Sequence, residues 1–197
     1  MSSLEKNTRT RILDATWRLM EQRQGLGVRM SDIAKAAGVS RQALYLHFES
    51  RVDLLSATTK YVDQVKGLDE RLKKVEMAEG AIAVLTTYIE VWGNYLPEIA
   101  GLSKALLATR EIDEAADLAW QECMKCHRGG CERLVSALEQ EHLLIDNWSH
   151  AEAVEILWTM LSFQTWDQLR EESHWTNDQY IKGTQTMLMR ILTKQTA

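Results

Sequence analysis

Apolar positions near the amino end recur at helical intervals. Ile12, Ala15, Thr16 and Leu19 follow that spacing, and Leu13, Trp17 and Met20 widen the stripe, so Arg11 to Arg23 reads as a helix. Gly25 and Gly27 stop it, as glycines do at helix C-termini. Ser31 is expected to open the next helix, its hydroxyl accepting from backbone N–H groups two or three residues on. Ile33, Ala34 and Ala37 form the inner face of that short helix, and Gly38 ends it. Val39 plugs the turn. Ser40 caps a third helix, Arg41 to Phe48, with Leu44 and Phe48 facing inward at i, i+4 spacing. Two short helices joined by a three-residue turn containing Gly are a helix-turn-helix signature.

Further along, Ser50-Arg51-Val52-Asp53 has the form of a helix start, and that helix should run into the mid-sixties. Later helices are expected near 78–95, 98–108, 112–140, 150–172 and 177–194. Ser149 with Glu152, and Thr176 with Gln179, read as capping boxes. The chain of 197 residues has one proline, Pro97, and ten glycines. A sandwich or barrel with many tight turns needs more of both, so the fold class is all-α. The expected organisation is a three-helix helix-turn-helix domain over 1–54 and a larger helical domain over 55–197.

The charge is unevenly distributed. Residues 1–52 hold nine Lys or Arg against five Asp or Glu, whereas residues 53–197 carry a net −9. A basic head on an acidic body suggests that the head meets a polyanion. The outer face of the third helix supplies Arg41, Gln42, Tyr45 and His47, donors and a ring suited to phosphates and base edges. The plainer alternative is a helical hairpin with a solvated polar face. No run of about 18 apolar residues exists to span a bilayer. The amino end lacks an apolar signal core, and three cysteines fit a reducing compartment, so a cytoplasmic protein is expected.

At these residues the chain resembles the TetR family of transcriptional regulators. The matching run is Ser31-Asp32-Ile33-Ala34, Ala37-Gly38-Val39-Ser40, Leu44-Tyr45-Leu46-His47-Phe48, then Ser50-Arg51 and Leu54, with Ile12-Leu13-Asp14-Ala15 in the first helix. Arg51 stands where the family usually has Lys, and Val52 where an acid is usual. The resemblance implies a homodimeric DNA-binding protein, usually a repressor, whose third helix enters the major groove of a roughly palindromic operator. Carried over, Arg41, Gln42 and Ala43 are the base readers. Tyr45, His47, Arg51 and Ser31 are phosphate contacts, and Ser40 at the helix start completes the DNA-binding set.

Six of the seven tryptophans lie beyond residue 90. Each can serve as core, as partner interface, or as the wall of a ligand cavity between helices. The family resemblance implies such a cavity, for which Tyr88, Trp92, Trp120, Met124 and Trp158 are the candidates, favouring a flat or apolar effector. It also implies a dimer interface on the last two helices, where Leu157, Met160, Leu161, Leu188, Ile191 and Leu192 are available.

Cys123, Cys126, His127 and Cys131 fall within nine residues. Soft thiolates with an imidazole suit zinc or copper(I), so a thiol- or metal-sensing regulator is the alternative function. The spacing lacks a second, distant ligand pair, Gly129-Gly130 weakens or breaks a helix there, and free cysteine is often a small buried apolar residue. His142, His150 and His174 stand alone. No nucleophile elbow, phosphate loop, dinucleotide fingerprint or zinc-protease motif occurs, so no catalytic residue, cofactor or resident metal is expected.

Overall fold

A computed structural model describes residues 3–194, with side chains from residue 7 onward. The described residues are helical, apart from connecting turns and one isolated bridge between Leu144 and Thr193. The helices are α1 (Ser3–Gln22), α2 (Met30–Ala36), α3 (Arg41–His47), α4 (Arg51–Val65), α5 (Leu68–Glu76), α6 (Ala81–Thr109), α7 (Glu114–Gln140), α8 (His150–Met160), α9 (Phe163–Asp167) and α10 (Asn177–Leu192). A π-helical turn, Gln168–Glu172, follows α9. No described helix is long and apolar enough to cross a membrane.

By compactness the chain divides into two units. One runs through Lys66 and adds Ile99–Met124; the other comprises Gly67–Glu98 and the chain from Lys125 onward. The expected division after residue 54 falls inside α4.

In the first unit the helical stripes face inward as their spacing requires. Ile12, Met20, Ile33, Leu44, Phe48 and Leu54 are fully buried. Removing such side chains from water contributes about 1.5–3 kcal/mol each. The turn between α2 and α3 needs a left-handed residue, which Gly38 supplies at φ +65°. The Val39 N–H then donates to the Ala34 carbonyl at 3.0 Å. Ser40 caps α3, its Oγ accepting from the Ala43 N–H at 3.0 Å.

The start of α2 departs from expectation. The cap position is Arg29, and Ser31 sits within the first turn. The Asp32 carboxylate accepts the Arg29 N–H at 3.3 Å and the Arg23 guanidinium at 3.0 Å. An acidic group at the third helical position closes the turn more strongly than a hydroxyl. The Arg29 N–H, aided by the Arg23 guanidinium, holds Asp32 below the usual carboxylate range.

The core of the second unit gathers Leu85, Ile89, Val135, Leu138, Val154, Leu157, Leu161, Leu188 and Leu192 around the start of α6, the end of α7, α8 and α10. Both capping boxes are present, Ser149 with Glu152 and Thr176 with Gln179. Four of the six residues assigned to a partner interface, Leu157, Leu161, Leu188 and Leu192, are buried inside this core, while Met160 and Ile191 remain half-buried.

Four expectations need correction. Helices 78–95 and 98–108 are one helix, α6, which carries Pro97 inside it. The expected helix 150–172 stops at Met160, because Ser162 caps a new start by accepting the Thr165 N–H at 3.1 Å. Helix α5 was not anticipated; it is short and highly charged, and buries no residue fully. Finally, Gly129-Gly130 does not break α7. A Cβ on Gly130 would lie 3.1 Å from the Tyr88 hydroxyl, so the glycine admits a close approach.

Candidate nucleic-acid interface

Because Leu44 and Phe48 anchor α3 from one side, the opposite side is fixed in space. Arg41, Gln42, Tyr45 and Leu46 are exposed on it, Ala43 and His47 are half-buried, and Ser31 is exposed in the first turn of α2. The Arg41 guanidinium lies over the Tyr45 ring, 5.7 Å from its centroid, so the two side chains at i, i+4 hold each other in place. Ser40 is spent on the backbone as the helix cap. The sequence reading passed over Leu46, which is 83% exposed. The available signal was its position one turn beyond Gln42 on the same face.

Arg51 has a different setting. Its Nε and Nη2 both donate to Asp113 Oδ2, at 2.9 and 2.7 Å. Each side chain of the pair is 23% exposed. Nη1 is buried and bonds to none of the described residues. Asp113 lies in the turn before α7 and also caps that helix, Oδ1 accepting the Ala115 N–H at 3.1 Å. A groove of about 610 Å³ is lined by the Gly25–Arg29 loop, the start of α2, Arg41, Tyr45, Arg51, Thr109, Ile112 and Asp113, all of the first unit.

The effector candidates separate. Tyr88, Trp92 and Trp158 belong to the second unit, Trp120 and Met124 to the first. Trp92 stacks against Tyr88 with ring centroids 6.1 Å apart, and against His127 at 4.6 Å. The Trp92 N–H donates to the Leu161 carbonyl at 2.8 Å. The Tyr88 hydroxyl lies 3.4 Å from His127 Nδ1. Arg128 sits over the Trp158 ring at 5.8 Å, and the buried Trp158 N–H bonds to none of the described residues. Trp120 is buried and Met124 half-buried.

His127 completes this cluster, which no local pattern could show, since it stands 39 residues from Tyr88. Burial lowers its pKa to about 4, the Trp158 backbone carbonyl acting weakly the other way. The ring is therefore neutral near pH 7. The rings of Tyr88, Trp92 and Trp158 adjoin one charged group, the Arg128 guanidinium, which is paired with Glu155 at 2.6 Å and Glu132 at 3.6 Å.

The metal-sensing alternative gains no site. Among the described residues no three His, Cys, Asp or Glu side chains converge to hold a metal ion. Cys131 is buried in the core, Cys126 is exposed and Cys123 is intermediate. Residues five apart on a helix point about 140° apart, so Cys126 and Cys131 cannot share a ligand. Burial also pushes the Cys131 thiol up to about 12, away from the reactive thiolate.

A helix locked to two neighbours on one side and presenting a guanidinium, an amide and a phenol on the other defines a helix-turn-helix domain of the DNA-reading type. Residues 12–58 match the family described as bacterial regulatory proteins, tetR family, so this part of the chain carries that family's domain. It is similar to an uncharacterized HTH-type transcriptional regulator of Mycobacterium tuberculosis, 39% identical over 84 residues. That match takes in 41% of this chain and spans 42% of the relative. Among solved structures it resembles NalD of Pseudomonas aeruginosa, the secondary repressor of the MexAB-OprM multidrug efflux pump, with a TM-score of 0.71 at 20% identity, covering 98% of this chain and 99% of that one. It also resembles the fatty acid degradation regulator FadR of Bacillus halodurans, with a TM-score of 0.73 at 17% identity, covering 92% and 94%.

Proposed function

We propose that this chain is a ligand-responsive transcriptional repressor, not an enzyme, working in the cytoplasm as a homodimer on a roughly palindromic operator. The observation that carries the reading is the exposed face of α3, where Arg41, Gln42, Tyr45 and Leu46 stand free of the core that holds Leu44 and Phe48. In this reading residues 1–54 read DNA, and residues 55–197 hold the effector and the partner subunit. Arg41 grips a guanine edge and Gln42 an adenine edge, each worth about 1–3 kcal/mol of discrimination. Ala43 and Leu46 meet thymine methyls, while Tyr45, His47, Ser31 and Ser40 lie toward the backbone, which sets register. Two copies place their reading helices about 34–36 Å apart, one turn of the duplex.

The effector is a small apolar or aromatic molecule. The cluster of Tyr88, Trp92 and neutral His127, with Trp158, supports that class, since it offers stacked ring faces and an uncharged imidazole. Trp120 and Met124 are the further candidates. Release follows if the effector binds more tightly to the dimer whose reading helices no longer match successive grooves, and the shift cannot exceed that difference in affinity.

The test is selection of bound fragments from a random duplex pool, followed by titration of the selected site. Wild-type protein should prefer a two-fold symmetric site over mixed sequence by a factor of about 10³ or more. Arg41→Ala should lose about 10- to 100-fold of that preference. Equal binding to selected and mixed duplexes would sink the reading.

A further inference from the structure

Arg51 and Asp113 form a contact that the DNA-reading role of α3 neither needs nor explains. Arg51 opens α4 and lines the same groove as Arg41 and Tyr45. A duplex seated on Arg41 and Tyr45 would bring its phosphates toward this cation. Yet the guanidinium is already engaged. Nε and Nη2 are both turned to one Asp113 oxygen, and Nη1 is buried. The edge of a guanidinium that best grips a carboxylate is the edge that best grips a phosphate. Carboxylate and phosphate therefore compete for one side chain.

We propose that Asp113 withholds Arg51 from DNA, so that the turn before α7 sets the affinity of the head for any duplex. The proposal rests on the DNA-binding reading above. While the pair is closed, Arg51 contributes little to binding. When the turn carrying Asp113 moves, the cation is released to a phosphate and one more counterion is displaced from the duplex. Asp113 is thus a positioning residue acting on Arg51.

Its second role supplies the control. Asp113 caps α7 through Oδ1, while the ion pair uses Oδ2. Asparagine caps a helix about as well as aspartate. Asp113→Asn therefore removes the charge and keeps the cap, and Asp113→Ser, which also caps, replaces it should the first variant not fold.

The experiment is titration of full-length protein against a labelled mixed-sequence duplex of about three helical turns. Phosphate contacts carry no sequence information, so the operator need not be known. Salt is varied between about 50 and 200 mM. Asp113→Asn should bind about three- to fivefold more tightly at the lower salt, the scale of a partly exposed ion pair. The slope of log affinity against log salt should steepen by about 0.9, one phosphate's worth. Arg51→Gln with Asp113→Asn should show neither change. Unchanged or weaker binding by Asp113→Asn, with Arg41→Ala still losing site preference, would overturn the proposal and leave the DNA-binding reading standing. Gain in the double variant equal to that in Asp113→Asn would also overturn it, because the effect would then be bulk charge. Failure of wild-type protein to bind any duplex would remove both.

Discussion

The outer face of α3 and the aromatic cluster around Trp92 are built on opposite principles. On α3 the base-reading side chains come from one helix of seven residues, and a repeat of three and four sorts inside from outside. Around Trp92 the parts come from separate helices, Tyr88 and Trp92 from α6, His127 from α7 and Leu161 from the end of α8. The first surface is a local fact about a short sequence. The second exists only once distant segments have packed. The same polar group also fares differently in the two places. His47 on α3 is half-buried at the surface, whereas His127 is 5% exposed, and burial lowers its pKa to about 4.

The contrast can be broken by attacking the anchor of the first surface. Leu44→Ala should destabilise the protein by about 2–5 kcal/mol, because it opens a cavity under the helix at a fully buried position. Denaturant unfolding followed by circular dichroism measures the loss. A cost under about 1 kcal/mol would mean that α3 does not depend on its inner face.

A second test uses acid. His127 has its folded pKa lowered from 6.5 to about 4, so the unfolded chain takes up a proton in that window and the folded chain does not. The stability this group confers is complete above pH 6.5 and is lost as the pH falls toward 4, by about 3 kcal/mol in all. His127→Phe keeps a ring against Trp92 and should flatten this part of the pH profile. An unaltered profile would show that the ring is not held neutral by burial.

The mildest test concerns a part of the second unit that was local and therefore readable. Ser149→Ala removes the acceptor that caps α8 and should cost about 1 kcal/mol, seen as a small drop in melting temperature. No change would place the weight of that helix start on Glu152 alone.

These differences explain what could be read from sequence. The head was legible because Gly38, Ser40, Leu44 and Phe48 state their roles within a dozen residues. The two capping boxes were legible for the same reason. Pro97 misled, because a proline inside a helical stripe reads as a boundary, whereas α6 continues through it. The break after Met160 was hidden, since Ser162 caps the next helix without any glycine or proline to announce it. Ser31 misled because Asp32 one residue later closes the same turn. The partner of Arg51 lies 62 residues away, and no spacing rule reaches that far.

Pro97 has one more consequence. Its nitrogen bears no hydrogen, so the carbonyl of Gly93, one turn back, receives no backbone donor from the residue that would normally supply it. The helix of 29 residues thus runs on with one rung of its hydrogen-bond ladder missing. Substitution of Pro97 by alanine would supply the missing donor, and with it one more rung, without touching a single side chain that reads or binds anything.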